Sequence, residues 1–150
     1  MSTDVEVEVI IERPRAAVAA FKFDPQNDLK WTTGVVAVRP LGEGRLRKGS
    51  KVERTAKFLG RTFSYLYEVI DADDEHFVEM KVDQPFPMQI RYQLDELPQR
   101  TLATRASIHA RGEAGGFYRL AAPLLNRMVR RNIGKDLALL KAQLESARGV

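Results

Sequence analysis

Val5, Val7, Val9 and Ile11 alternate with Asp4, Glu6, Glu8 and Glu12, and Ile10 is the one apolar residue out of step. A period of two is that of a strand with one covered face, which places the first strand here. Pro14 suits the opening turn of a short helix, and Ala16 to Phe21 supply helix formers before Asp24-Pro25 restarts the chain. A second short helix through Asn27 to Trp31 ends at Gly34. Neither is long enough to be stable alone, so both must close one end of something larger.

Six more strand-like runs follow, parted by turn signals at Gly42 to Gly49, Gly60, Asp71 to Asp74, the Pro85/Pro87 pair and Pro98 to Arg100. The first is Val35 to Leu41. In the next two, Val52, Arg54, Ala56 and Phe58 share one face, as do Phe63, Tyr65, Tyr67 and Val69. The same alternation gives Val78, Met80 and Val82; then Met88, Ile90, Tyr92 and Leu94; then Leu102, Thr104, Ala106 and Ile108. Connections this short favour hairpins, so strands two to seven form an antiparallel sheet with one wet and one covered face.

From Gly116 to Ala147 the period changes. Leu120, Leu124, Met128, Val129, Ile133, Leu137, Leu140 and Leu144 recur in steps of three and four, with Arg127, Arg130, Arg131, Lys135 and Lys141 largely opposite. This is one long amphipathic helix, and Leu124, Met128, Leu137 and Leu140 are expected to be buried against the sheet. Pro123 means either that the regular helix begins near it or that the helix kinks there. Gly134, inside the helix, marks a close approach of strand or ligand, or else a tolerated weak spot. A single helix covers only a strip of a seven-stranded sheet, so the rest of the concave face is filled by large side chains or left as a cavity.

The remaining numbers exclude more than they assign. The 150 residues fit a single domain spanning the whole chain, with 44% hydrophobic and 29% charged residues. A net charge of +4 without a long Lys/Arg run gives no case for nucleic acid as a partner. No cysteine is present, which removes disulfides and thiolate chemistry and fits a cytoplasmic protein. The N-terminus has no apolar core of the signal-peptide kind. His76 and His109 fall on different strands without metal-ligand spacing, no Ser sits in a Gly-x-Ser-x-Gly elbow, and Asp71, Asp73, Asp74 and Glu75 read as a solvated turn. No metal, cofactor or catalytic residue is therefore assigned.

Several short motifs in this order resemble a known family. They are Trp31-x-x-Gly34, Gly49-Ser50-x-Val52, Gly60-Arg61-Thr62, Phe86-Pro87 before Arg91-Tyr92-x-Leu94, and Asp136-Leu137-x-x-Leu140-Lys141-x-x-Leu144-Glu145. The chain resembles the helix-grip proteins called Bet v 1-like, START-like or polyketide cyclase/dehydrase and lipid transport proteins. The resemblance implies an α+β helix-grip fold: a seven-stranded curved antiparallel sheet wrapped on a long C-terminal helix, with two short helices after strand one. It also implies a hydrophobic cavity for lipids, polyketides, quinones or other apolar molecules, but no single chemistry.

The expected function is to bind or carry a hydrophobic small molecule between sheet and helix, with Trp31, Arg54, Phe58, Tyr65, Tyr67, Met80, Tyr92, Leu124 and Met128 as its candidate contacts. The alternatives are a polyketide cyclase/dehydrase-type enzyme, and an adaptor that meets a membrane surface or a protein through the basic helix. Apolar walls alone would favour the carrier, whereas a buried Arg and Tyr within hydrogen-bond reach would favour the enzyme. Arg54 is the informative residue, because it shares a covered face on which no strand offers a carboxylate. It must snorkel to an open end, pair with a loop carboxylate such as Asp83 or Glu113, or use tyrosine hydroxyls and a ligand oxygen.

Overall fold

The computed structural model describes residues 2–58, 60–84, 87–113 and 122–146. The elements run β1 (Ser2–Ile11), α1 (Arg15–Lys22), a 3-10 turn (Pro25–Asn27), α2 (Asp28–Trp31), β2 (Val35–Pro40), β3 (Lys51–Phe58), β4 (Arg61–Asp73), β5 (Phe77–Val82), β6 (Met88–Leu97), β7 (Arg100–Glu113) and α3 (Ala122–Ser146). All seven strands join one antiparallel sheet in the order β1-β7-β6-β5-β4-β3-β2. This is the α+β helix-grip arrangement that the alternation and the closing helix imply.

Side-chain alternation becomes rows across the sheet. Val69 pairs with Met80, Met80 with Ile90, Ile90 with Ala110 and Ala110 with Val5, so one apolar row crosses five strands. A second row takes in Val78, Tyr92, Ile108 and Val7. Two tight turns need a left-handed backbone, and glycine fills both: Gly49 has φ 94° and Gly60 has φ 75°. Gly49 also donates to the Val69 carbonyl at 2.8 Å, which fastens the entry of β3 to β4.

The helix lies off centre. Its sheet contacts are chiefly with β1 and β7, where Leu137, Leu140 and Leu144 are buried. Lys141 Nζ donates to the Ile10 carbonyl at 2.6 Å and Glu145 accepts from the Glu12 amide at 2.8 Å, pinning the helix to that edge. Over the sheet's other half α3 makes no comparable packing.

Several boundaries differ from the sequence expectation. The helix is described from Ala122, so Pro123 sits in its first turn, where a missing N–H costs nothing; Gly116 to Ala121 and Ala147 lie outside the described residues. Strand β4 runs through Asp71 to Asp73 across a register shift after Val69, so the turn comes later and His76 falls in it rather than on a strand. Leu102, placed on the covered face, is 71% exposed because a register shift between Glu96 and Leu97 breaks the alternation of β7 before Thr104. Met128 is half-buried instead of buried, because it sits off the α3 face that Val129 turns to the sheet, and the Leu124 side chain lies outside the described ones. Around Gly134 no atom of the described residues comes within 4 Å of where a Cβ would stand, so the close approach of a strand is not the reason for this glycine.

Two glycines should respond in opposite directions. A Cβ on Gly112 would sit 2.7 Å from the Pro87 carbonyl oxygen and 2.8 Å from Met88 Cγ. Chemical denaturation of Gly112→Ala is expected to show a loss of about 1–3 kcal/mol, the usual cost of overpacking. Gly134→Ala should gain roughly 0.5–1 kcal/mol, the helix preference of alanine with no clash against it.

Candidate functional site

The two short helices carry the polar chemistry to the sheet. Asp24 spends its carboxylate on the Gln26 amide at 3.0 Å and Asn27 donates to the Phe21 carbonyl at 3.0 Å, so both are used up as local caps. Thr32 closes α2 by bonding the Asp28 carbonyl through its hydroxyl at 2.6 Å. Asp28 itself is left to point inward, where its residue is only 1% exposed.

What it meets is Arg54. On β3, Arg54 is 6% exposed, and its Nε and Nη2 both donate to Asp28 Oδ2, at 3.1 and 2.7 Å. Tyr67 donates its hydroxyl to the same carboxylate oxygen at 3.3 Å, and the guanidinium lies 4.6 Å from the Tyr67 ring centroid. The other donors face phenols: Nη1 is 3.5 Å from the Tyr65 hydroxyl and Nη2 is 3.4 Å from that of Tyr92. Asp28 is thus the partner that Arg54 required. Asp83 is exposed and lies near Lys81 instead, while the Glu113 side chain lies outside the described ones.

Burial sets the electrostatics. On Arg54 it works against the charge, but the oxygens of Tyr92, Asp28, Tyr67 and Tyr65 outweigh it and hold the pKa well above the ordinary arginine value. Burial also pushes the Asp28 carboxyl above its usual range, and the guanidinium and the Tyr67 hydroxyl pull it back only in part. The guanidinium never releases its proton, so its side of the pair keeps its charge at neutral pH. Burial raises the Tyr67 phenol strongly and brings that of Tyr92 up to about 12, so both remain O–H groups.

Beside this cluster a cavity of about 230 Å³ lies between α3 and the half of the sheet that it does not pack against closely. Trp31, Arg54, Phe63, Tyr65, Met88, Ile90 and Tyr92 line it from the short helices and sheet, and Val129, Asn132, Ile133 and Asp136 line it from α3. Its walls are mainly apolar, with polar residues at Thr32, Arg54, Lys57, the two phenols, Asn132 and Asp136. Asp136 accepts from the Thr33 amide at 2.7 Å and its hydroxyl at 2.8 Å, tying α3 to the start of β2. Burial raises this carboxyl too, against the opposing pull of the Thr33 bonds.

Of the nine candidate contacts, the cavity gathers Trp31, Arg54, Tyr65 and Tyr92. Tyr67 does not line it: it stands behind Arg54, its hydroxyl committed to Asp28. Met80 does not either, being fully buried in the row between Val69 and Ile90. Met128 is absent from the lining because its neighbour Val129 takes that face of α3. The side chains of Phe58 and Leu124 lie outside the described ones. His76 bonds Asp73 and His109 bonds Asp4, both at the surface, and among the described residues no three His, Cys, Asp or Glu side chains group as a metal site.

Sequence reasoning missed Asp28, Asp136 and Lys22. Asp28 and Asp136 sit on helices whose acidic residues read as ordinary wetted positions. Lys22 reads as a basic residue closing a helix, yet it is three and four residues on from the buried Ala19 and Val18 and shares their covered face. That spacing was the available signal.

A family described as polyketide cyclase / dehydrase and lipid transport matches residues 2–145. Among solved structures, the chain is similar to the Zhui aromatase/cyclase from Streptomyces sp. R1128, with 18% identity, TM-score 0.80, and 97% of this chain and 94% of that one covered. A START superfamily protein from Mycobacterium smegmatis matches at 12% identity and TM-score 0.76, over 95% of this chain and 97% of that one. Ara h 8.0201 matches at 14% identity and TM-score 0.72, over 98% and 100%. At such identities these structures share the fold, and no curated protein matches the chain.

The buried pair changes what an arginine substitution reports. Arg54→Met leaves Asp28 buried without its counter-ion and should cost about 3–5 kcal/mol in a denaturant melt. Adding Asp28→Asn removes the stranded charge, so the double variant should recover much of that loss. Equal stability of the single and double variants would mean that the two groups are not coupled.

Proposed function

The chain belongs to the polyketide cyclase/dehydrase and lipid transport family, and on that premise we propose that it binds a compact hydrophobic molecule bearing a carbonyl or similar acceptor oxygen. The observation that carries this reading is the meeting of Arg54 with the Tyr65 and Tyr92 hydroxyls at one end of an otherwise largely apolar cavity. Both phenols accept from the guanidinium, which leaves their own O–H free to donate to a ligand oxygen. Asp28 holds the guanidinium in place from behind, so these donors are ordered before a ligand arrives. At about 230 Å³ the cavity is below the roughly 300 Å³ at which ligand pockets usually begin, so it suits a small ligand. No helix among the described residues is long and apolar enough to cross a membrane.

Tyr92→Phe and Tyr65→Phe test the polar end without stranding a charge. Each should weaken calorimetric binding of 2-acetonaphthone by about 0.5–1.5 kcal/mol, the net worth of one hydrogen bond, and leave that of naphthalene nearly unchanged. Equal loss for both probes would remove the phenols from the site. Native mass spectrometry of protein purified gently from its source would identify a co-purified ligand directly.

A second reading, the cyclase/dehydrase-type enzyme, is favoured by the same buried Arg and Tyr contact together with Asp136 in the cavity wall. An anionic enol oxygen would rest on the phenols and guanidinium while the Asp136 carboxylate takes the proton from the carbon between two carbonyls. The expected sign is exchange of the α-protons of bound 1-phenyl-1,3-butanedione in D2O faster than in buffer, lost in Asp136→Asn while binding persists. Exchange at the buffer rate leaves the carrier reading alone.

A further inference from the structure

Lys22 lies outside the cavity lining. It closes α1, is 0% exposed, and its Nζ has no hydrogen-bond partner among the described residues. What surrounds the ammonium is aromatic: the Tyr92 ring centroid is 4.3 Å away and that of Trp31 is 5.5 Å away. Those two rings meet edge to face at 5.6 Å, and both line the cavity. Lys22 is therefore one layer behind the wall, out of a ligand's reach but close enough to feel its charge.

We infer that Lys22 is a positioning residue which selects ligands by charge: protonated, it favours an anionic ligand in the cavity, and unprotonated, it favours a neutral one. This rests on the binding reading above. The charges around the cavity lead to it. Arg54 and Asp28 offset each other and the Asp136 carboxyl stands in the same wall, so an anion placed against the phenols adds negative charge that the ion pair does not answer. The groups facing Lys22 are the Trp31 ring from α2, the Tyr92 ring from β6 and the Asp136 carboxylate from α3, while the inward Thr104, Ala106 and Ile108 of β7 carry no titratable group. Among these, Lys22 can answer the added charge by gaining a proton near neutral pH. Burial lowers its pKa to about 7, with the Asp136 carboxylate pulling the other way.

The sign follows from linkage. An anion in the cavity stabilises the ammonium, so the bound state takes up a proton and affinity for the anion falls as pH rises through about 7. A neutral apolar ligand displaces water from the cavity and deepens the desolvation of the ammonium, so its affinity rises over the same range. Lys22 also keeps a burial penalty below about 7 that is relieved at higher pH, so Lys22→Met should fold at least as well as the parent in neutral solution.

Trp31 is the sole tryptophan, which gives a ligand-free readout. Its emission should change sigmoidally with a midpoint near pH 7, lose that change in Lys22→Met, and shift to lower pH in Asp136→Asn. Replacing His76 and His109 by Gln should leave the transition in place. A transition that survives Lys22→Met but disappears in Asp136→Asn would assign the proton to Asp136 and overturn the inference.

Calorimetric titration with two near-isosteric probes completes the test: 2-naphthoate, ionised throughout, and 2-acetonaphthone, neutral throughout. The ratio of their affinities should fall about tenfold from pH 6 to pH 8, the effect of roughly one unit of linked pKa shift. In Lys22→Met the ratio should not depend on pH, and in Lys22→Arg, which keeps its charge, it should stay at the anion-favouring value. If both probes bind with a ratio that is flat in the parent protein, the inference on Lys22 fails and the binding reading stands. If neither probe binds while the Trp31 transition is present, the binding reading fails and the selection by charge fails with it.

Discussion

The ion pair between Arg54 and Asp28 joins the sheet to the two short helices, and the polar end of the cavity is arranged around it. A buried pair is weak evidence for net stability, because the cost of taking both ions out of water offsets most of their attraction. It is strong evidence for geometry. Once both ions are buried, every alternative placement of α2 on the sheet leaves at least one of them without a counter-charge. Tyr67 spends its hydroxyl on the carboxylate and its ring on the guanidinium, so a residue that could have met a ligand supports the pair instead. Tyr65 and Tyr92 are then left as the outward side of the same network, and they are the phenols that line the cavity.

The cavity follows from where the closing helix can be anchored. Leu137, Leu140 and Leu144 bury the C-terminal part of α3 over β1 and β7, and Lys141 and Glu145 bond the backbone of β1 and its end. With that half fixed to one edge, the middle of the helix passes over β3 to β6 at a distance that side chains from the sheet do not fill. Val129 and Ile133 face the gap rather than a partner, and the Asp136 to Thr33 bonds close its rim. A long amphipathic stripe thus divides into a stretch that packs and a stretch that overlooks a void. Both stretches have the same apolar spacing in the sequence.

That explains which features could be read before the structure was known. Strand alternation and helical spacing are local and repeat many times, so the element order, the antiparallel sheet and the covered faces of β3 to β6 were all legible. Breaks in the pattern were less so. Strand β4 continues through Asp71 to Asp73 because a register shift absorbs the change of phase, and an acidic run alone suggests a turn. In the site, Arg54 was conspicuous as a charge on an apolar face, and its need for a partner could be stated in advance. Its partner could not be named, because Asp28 lies on a one-turn helix where no periodicity separates inside from outside. Asp24, Asn27 and Asp28 look alike in sequence, and they part only once two of them are used as caps.

The distinction between carrier and catalyst turns on the same electrostatics. A hydrophobic pocket that only stores a molecule gains from apolar area and loses from every polar group it must desolvate. This one retains a guanidinium, two phenols and a carboxylate in or beside its walls, with bonds within the protein offsetting the burial cost fully for the guanidinium and in part for the carboxylate. Such groups favour a ligand whose oxygens sit where the donors already point, and they disfavour plain hydrocarbon by leaving those donors unmatched. The same preorganisation that selects a carbonyl ligand also stabilises charge that develops on its oxygen, since the donors need no rearrangement when that charge appears. Selective binding and enolate stabilisation are therefore two strengths of one interaction here, and what separates them is whether the raised carboxyl of Asp136 lies within proton-transfer reach of the bound carbon.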